Sequence, residues 1–273
     1  MIVKTSFLRK TNTRLAFALT RIRPAQLASL LKWMLRIKRV RFESAEGFAL
    51  DIDPASQLGK TLLSFGEYDP KTAHFLKKIL RPCDIFIDIG ANEGYFTLLG
   101  AKLVGESGLV HSIEPQTRLH PVLKRNIAIN SLENSINLHQ LGLSDKIGTL
   151  KLYLRPSINT GSSSLNRHWK LGWSFEEINV ITLDHFFESQ KIDRVRLVKI
   201  DCEGAEPEII KGSFDTLKNK RVDFFIIEHH PQIRSLQSIN ETENSLIKAG
   251  YQKIIFSDLS AYRAPGIEES NFD

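Results

Sequence analysis

The stretch Ile85-Phe-Ile-Asp-Ile-Gly-Ala-Asn-Glu-Gly-Tyr-Phe-Thr97 leaves few folds open to the chain. Ile85 to Ile87 read as a buried strand closed by Asp88, glycines follow at 90 and 94, and Tyr95 to Lys102 reads as a helix. A strand, a glycine turn and a helix let a backbone bend sharply and approach a ligand closely. A second apolar strand over 109–113 ends on Glu114, placed to accept hydrogen bonds from a ribose diol. The turn departs from a dinucleotide fingerprint, because the third fixed glycine is missing and Asp88 and Glu93 stand before and inside it. Two carboxylates repel a pyrophosphate but suit a ligand that presents an ammonium group. A dehydrogenase reading fails on this ground.

Residues 1–42 carry eleven Lys and Arg and no acid, so the +6 chain has a body with five negative charges in excess. That imbalance argues against a nucleic-acid groove through the body. It leaves open a tail that touches anionic lipid, an acidic glycan carrier or nucleic acid. Within this extension Leu27, Leu30, Leu31, Met34 and Leu35 fall at helical spacing over 25–37. The preferred reading is a helix docked on the body or on a second subunit, ahead of one lying in a membrane interface. No apolar run is long enough to span a bilayer, no compact signal-peptide core occurs, and the two cysteines, Cys83 and Cys202, have no partners at metal spacing. A cytoplasmic chain is expected, with peripheral attachment to the inner membrane face left open.

The body alternates strands and helices. A hairpin over 40–52 and helices over 58–65 and 70–80 precede the central strand. After it come a helix over 117–129, strands over 136–141 and 149–154, and a polar, turn-rich stretch over 155–179 holding Trp169 and Trp173. Such a stretch exceeds what a connection needs and fits a substrate flap, with an edge hairpin as the plainer reading. Further strands are expected over 196–200, 222–227 and 251–256 and a last one from Tyr262, with helices over 205–211 and 239–249 and an acidic tail over 268–273. The organisation expected is a basic extension over 1–42, one domain over 43–267 and the tail. The apolar strands imply an α/β fold with a mostly parallel sheet covered on both faces. The acids at 88, 114, 145, 201, 203 and 228 all fall at strand ends, and so gather where open α/β sheets bind ligands.

Phe86-Ile-Asp-Ile-Gly-Ala-Asn-Glu-Gly-Tyr95, Glu114-Pro115, Leu143-Ser-Asp145, Thr182-Leu-Asp184, Lys199-Ile-Asp-Cys-Glu-Gly-Ala-Glu206 and Ile227-Glu228 follow one another in order. In these motifs the chain resembles the FkbM family of S-adenosylmethionine-dependent methyltransferases, over roughly residues 50–256. The resemblance implies a class I methyltransferase, Rossmann-like fold with a seven-stranded sheet. It also implies methylation of hydroxyl oxygens on sugars of glycans and glycolipids or on polyketide-type products. Two positions depart from the pattern: Cys202 stands where an aliphatic residue is usual, and Glu93 replaces an apolar residue and is expected to alter only the loop's surface.

On that resemblance Asp88, Gly90, Ala91, Asn92, Gly94 and Tyr95 hold the methionine part of S-adenosyl-L-methionine, with Asp88 on its ammonium. Glu114 and Pro115 take the ribose, Leu143 and Ser144 flank the adenine, and Asp145 either accepts from its amine or caps a turn. Asp201 faces the methionine end, and Glu203, Glu228 and His229 are candidates to fix or deprotonate the acceptor hydroxyl. Lys199 shares a strand face with Asp201, so an internal ion pair is expected, and Asn126 is read as a packing residue. A divalent cation on these acids is not required by the spacing, and none is assigned. N-methylation on the same fold is the first alternative. A non-catalytic scaffold in a glycan-assembly complex is the second, disfavoured because clustered carboxylates repel one another. The acceptor is expected to be a small molecule or glycan, and the exposed leucine face allows a homodimer.

Overall fold

The computed structural model describes residues 15–19, 22, 25–154, 174–231, 234–256 and 259–267. From the N-terminus, α1 (Ala25–Met34) leads into a hairpin of β1 (Val40–Glu43) and β2 (Ala49–Ile52), then α2 (Gln57–Phe65) and α3 (Pro70–Ile79). Local sequence explains the helix ends. Ser56 caps α2 through Gly59 N, and Gly66 closes it in the left-handed conformation that glycine adopts without strain. Asp69 caps α3, whose first residue is Pro70, where a missing N–H costs nothing.

The main sheet follows as β3 (Ile85–Ile89), β4 (Leu109–Ile113), β5 (Ile136–His139), β9 (Val195–Ile200), β10 (Val222–Ile227), β11 (Gln252–Phe256) and β12 (Leu259–Arg263). Their spatial order is β11-β12-β10-β9-β3-β4-β5. All neighbours are parallel except β12, which runs antiparallel to both β10 and β11. Alternation along each strand divides the core in two. Phe86, Leu197 and Phe224 pack on one face with the apolar sides of α2, α3, α4 (Tyr95–Val104) and α5 (His120–Ala128). Ile87, Val198 and Phe225 pack on the other with α6 (Leu183–Ser189), α7 (Glu206–Lys211), α8 (Phe214–Lys218) and α9 (Leu236–Lys248).

The structure corrects three expectations. β3 continues to Ile89, so Asp88 lies inside the sheet instead of closing the strand. The strand expected over 149–154 belongs to a separate sheet: β7 (Gly148–Leu154) pairs antiparallel with β8 (Ser174–Ile181), which pairs parallel with the short β6 (Gly142–Leu143). Residues 174–179 of the expected flap are therefore strand, and 155–173, with both tryptophans, lie outside the described residues. The helix expected from 117 begins at His120, where Pro121 fits the first turn. Helix α1 packs on the body through Ala28, against Ala16 and Ala55, and leaves Leu27 and Leu30 exposed.

Candidate active site

The turn after β3 is built against the neighbouring strand ends. Gly90 has φ +82°, and a Cβ there would stand 1.9 Å from the carbonyl oxygen of Asp201, at the end of β9. Only glycine lets the two loops approach this closely. The amides of Gly90 and Ala91 both donate to Ile113 O, at 3.0 and 3.1 Å. Asn92, at φ +53°, donates its amide to Glu114 Oε2 at 2.9 Å, and Gln116 N donates to Oε1 at 2.9 Å. Glu114 is only 3 % exposed. Burial pushes its carboxyl up to about 7 although these two amides favour the charged form. The Gln116 side chain also hydrogen-bonds this carboxylate, and its remaining acceptor capacity is open to a diol. Asn92 Oδ1 is buried nearby with no hydrogen-bond partner.

These groups line a cleft of about 220 Å³ at the carboxyl ends of the strands, with Gly90, Ala91, Tyr95, Pro115 and Leu143 in its wall. Its opposite end is ionic. Lys199 Nζ, on β9, lies 3.3 Å from Asp88 Oδ1 and 3.4 Å from Asp201 Oδ2. Burial works against this ammonium, but Asp88, Asp201 and Glu228 outweigh it and hold the Lys199 pKa above its ordinary value. The expected Lys199–Asp201 pair is thus present and extends to Asp88, whose other oxygen accepts from Thr97 Oγ1 at 2.7 Å. Glu203, at φ +51°, and Glu228 complete this end of the cleft. Glu228 is an exposed rim residue. Its carboxyl is nevertheless desolvated against the wall, and this, with the like charge of Asp201, pushes its pKa up to about 7. A second cavity of about 460 Å³ adjoins the first and shares Lys199, Asp201 and Glu228 with it, adding Asp69, His229 and Ser260.

Five residues singled out from the sequence stand outside the wall of the first cleft. Asp88 is sealed in the sheet by Lys199 and Thr97. Gly94 starts α4 behind the loop, where a Cβ would lie 2.4 Å from Leu123 Cδ1. Ser144 is buried and donates its amide to Ile181 O. Asp145 pairs with Lys211 at 2.7 Å, which holds its pKa below the usual value. His229 faces Glu243 at 3.8 Å and borders only the second of the two cavities.

The imidazole that does face the acids is His230, 5 % exposed, with Nε2 3.4 Å from Asp201 Oδ1 and 3.7 Å from Glu206 Oε1. Burial opposes its charge, yet Asp201, Glu206 and Glu203 raise its pKa to about 9. Sequence reasoning weighed His229 and passed over His230, because beyond a strand end no period tells which of two adjacent side chains turns inward. Tyr68, which the sequence did not single out, also lines the cleft and packs edge-on to Tyr95. Cys202 packs on the core and also reaches the cleft wall. Glu93, expected on the surface, is buried and bonded to Arg39 of the N-terminal segment. Asn126 locks this region: its Nδ2 donates to Glu93 O at 2.7 Å and its Oδ1 accepts from Asp51 N at 2.7 Å.

Parallel strands in this order, one antiparallel strand inserted near the edge, and a cleft at their carboxyl ends define a class I methyltransferase. The family model described as the methyltransferase FkbM domain matches residues 88–253, and the chain belongs to that family of enzymes. Two curated relatives are the methyltransferase sdnD of Sordaria araneosa, 27 % identical over 46 % of this chain and 59 % of its own, and the hexuronic acid methyltransferase AglP of Haloferax volcanii, 25 % identical over 54 % and 56 %. The chain thus spans rather more than half the length of these relatives. Among solved structures it is similar to the methyltransferase FkbM of Methylobacillus flagellatus, at 14 % identity and a TM-score of 0.47, covering 93 % of this chain and 77 % of that one.

Proposed function

We propose that the protein transfers the methyl group of S-adenosyl-L-methionine to a hydroxyl of a sugar, glycan or glycolipid-like acceptor. The observation that carries this reading is the wall common to two adjoining cavities, formed by Lys199, Asp201 and Glu228. The first cavity offers what the cofactor requires. Glu114 presents two buried acceptor oxygens for a ribose, Asn92 Oδ1 is a buried acceptor in search of a donor, and Gly90 leaves open the space that a side chain would fill. Bound there, the cofactor supplies an electrophilic methyl carbon on a sulfonium, so the protein has to contribute orientation, electrostatics and proton removal. The acceptor enters through the second cavity, and its hydroxyl meets the shared wall.

Glu228 serves as the base in this reading. Its carboxyl, held near 7, is unprotonated often enough to accept a proton at neutral pH and basic enough to attract one. Lys199 keeps Asp201 charged, and Asp201 and Glu203 orient the acceptor. His230, carrying its proton to about 9, acts as a fixed cation against the acids instead of a base. A sugar acceptor draws support from the relative named for hexuronic acid. The test is incorporation of labelled methyl from S-adenosylmethionine into free and lipid-linked sugars, with the product linkage read by NMR. The expected results are an O-methyl product, a rate that climbs with pH through about 7, and a loss of roughly 10²–10⁴-fold in Glu228→Gln. An N-methyl product, or a Glu228→Gln enzyme at full rate, contradicts it.

A further inference from the structure

We propose that the outward face of α1 docks on an anionic lipid bilayer. This helix is turned opposite to the usual sense. Its small residue, Ala28, meets the body, and Lys32, one turn on, bonds to Asp53. The large apolar residues point away: Leu27 is 44 %, Leu30 52 %, Trp33 77 % and Met34 62 % exposed. Residues 27, 30 and 34 follow the spacing of one helical face. A contiguous apolar face of this kind marks a surface that another body covers.

Charge selects the covering body. The 42-residue N-terminal segment has eleven basic residues and no acid, and Arg36 and Lys38 stand exposed just after the helix. A second copy of the chain meeting the same face would bring like charges together. A bilayer rich in anionic headgroups attracts them and takes the apolar face into its interface. Trp33, the most exposed of the four, is of the type that settles at that depth. Among the described residues no helix is long and apolar enough to cross a membrane. The location has a consequence for access. Helix α1 rests on Ala55, next to Ser56, Gln57 and Leu58, which line the first cleft. Docking on this face holds the cleft beside the bilayer.

The test is co-sedimentation of the full chain with vesicles of phosphatidylglycerol mixed with phosphatidylcholine, against phosphatidylcholine alone. The expected result is roughly tenfold more protein bound to the anionic vesicles, reduced by salt. Leu30→Asp/Trp33→Asp should lose this binding with an unchanged melting temperature, since both side chains are largely exposed. A second variant, Arg36→Glu/Lys38→Glu, leaves the apolar face intact and should bind several-fold more weakly. Wild-type protein left in the supernatant, or Leu30→Asp/Trp33→Asp binding as wild type, overturns the proposal. So does a wild-type dimer that this double variant turns into monomer, which would give the face to a second copy.

Discussion

Lys199 is the residue on which the acidic edge depends. It is the buried cation between Asp88 and Asp201, both within 3.4 Å of its Nζ. Removing one partner of a buried ion pair leaves an uncompensated charge, which costs about 3–5 kcal/mol. Lys199→Met should therefore lower unfolding stability in urea by about that much, and a loss within experimental error would show that the acids are solvated or neutral. The sequence made half of this pair legible, because Lys199 and Asp201 lie two residues apart on one strand face. Asp88 was missed as a partner, since the strand was read one turn of the pleat too short. Glu93 was misread as surface for a different reason. Its partner Arg39 lies 54 positions upstream, and no local pattern reports so distant a pairing.

At the scale of elements, the site is made by loops from different strands meeting edge to edge. Gly90 and Gly47 provide a paired test, because both have positive φ, near +80°, while only Gly90 has a neighbour in the way. Gly47→Ala meets open space and should cost only the backbone strain, about 1–2 kcal/mol. Gly90→Ala must push its loop from Asp201 O as well, so its loss of stability should clearly exceed that of Gly47→Ala in thermal unfolding. Equal losses would mean that the two loops part freely. The main sheet was legible from the sequence because most of its strands are largely apolar and alternate with helices, but its strand order was not read. The small sheet was legible only in part: the strand over 149–154 and a hairpin were read, but not the length of β8 or its separation from the main sheet. β7 and β8 pair across a connection of nineteen residues, 155–173, and β8 carries exposed polar residues that look like loop.

For the whole molecule, ionisation of the site opposes folding at alkaline pH. Glu93 and Glu114 ionise at about 7 in the folded chain because burial penalises their charge, against an ordinary 4.5. Between these values the unfolded chain has released protons that the folded chain retains, so stability falls as pH rises from about 4.5 to about 7. His230 acts in the same direction: its acids raise it from 6.5 to about 9, and the stability it contributes is lost as pH rises across that window. The ligand-free chain should therefore melt higher near pH 5.5 than near pH 8.5. A melting temperature flat or rising over that range would contradict the burial of these groups. A cationic ligand in the cleft should reduce the alkaline loss, since it compensates the same carboxylates.

The central claim is that the first cleft is a methyl-donor site whose ribose end is Glu114. Calorimetry with S-adenosylmethionine on the intact chain and on Glu114→Ala tests it most directly. Saturable one-to-one binding is expected for the intact chain, weakened on the order of 10²-fold or more in the variant, since hydrogen bonds to a charged acceptor are lost. No binding by the folded intact chain, or equal affinity in Glu114→Ala, would contradict it.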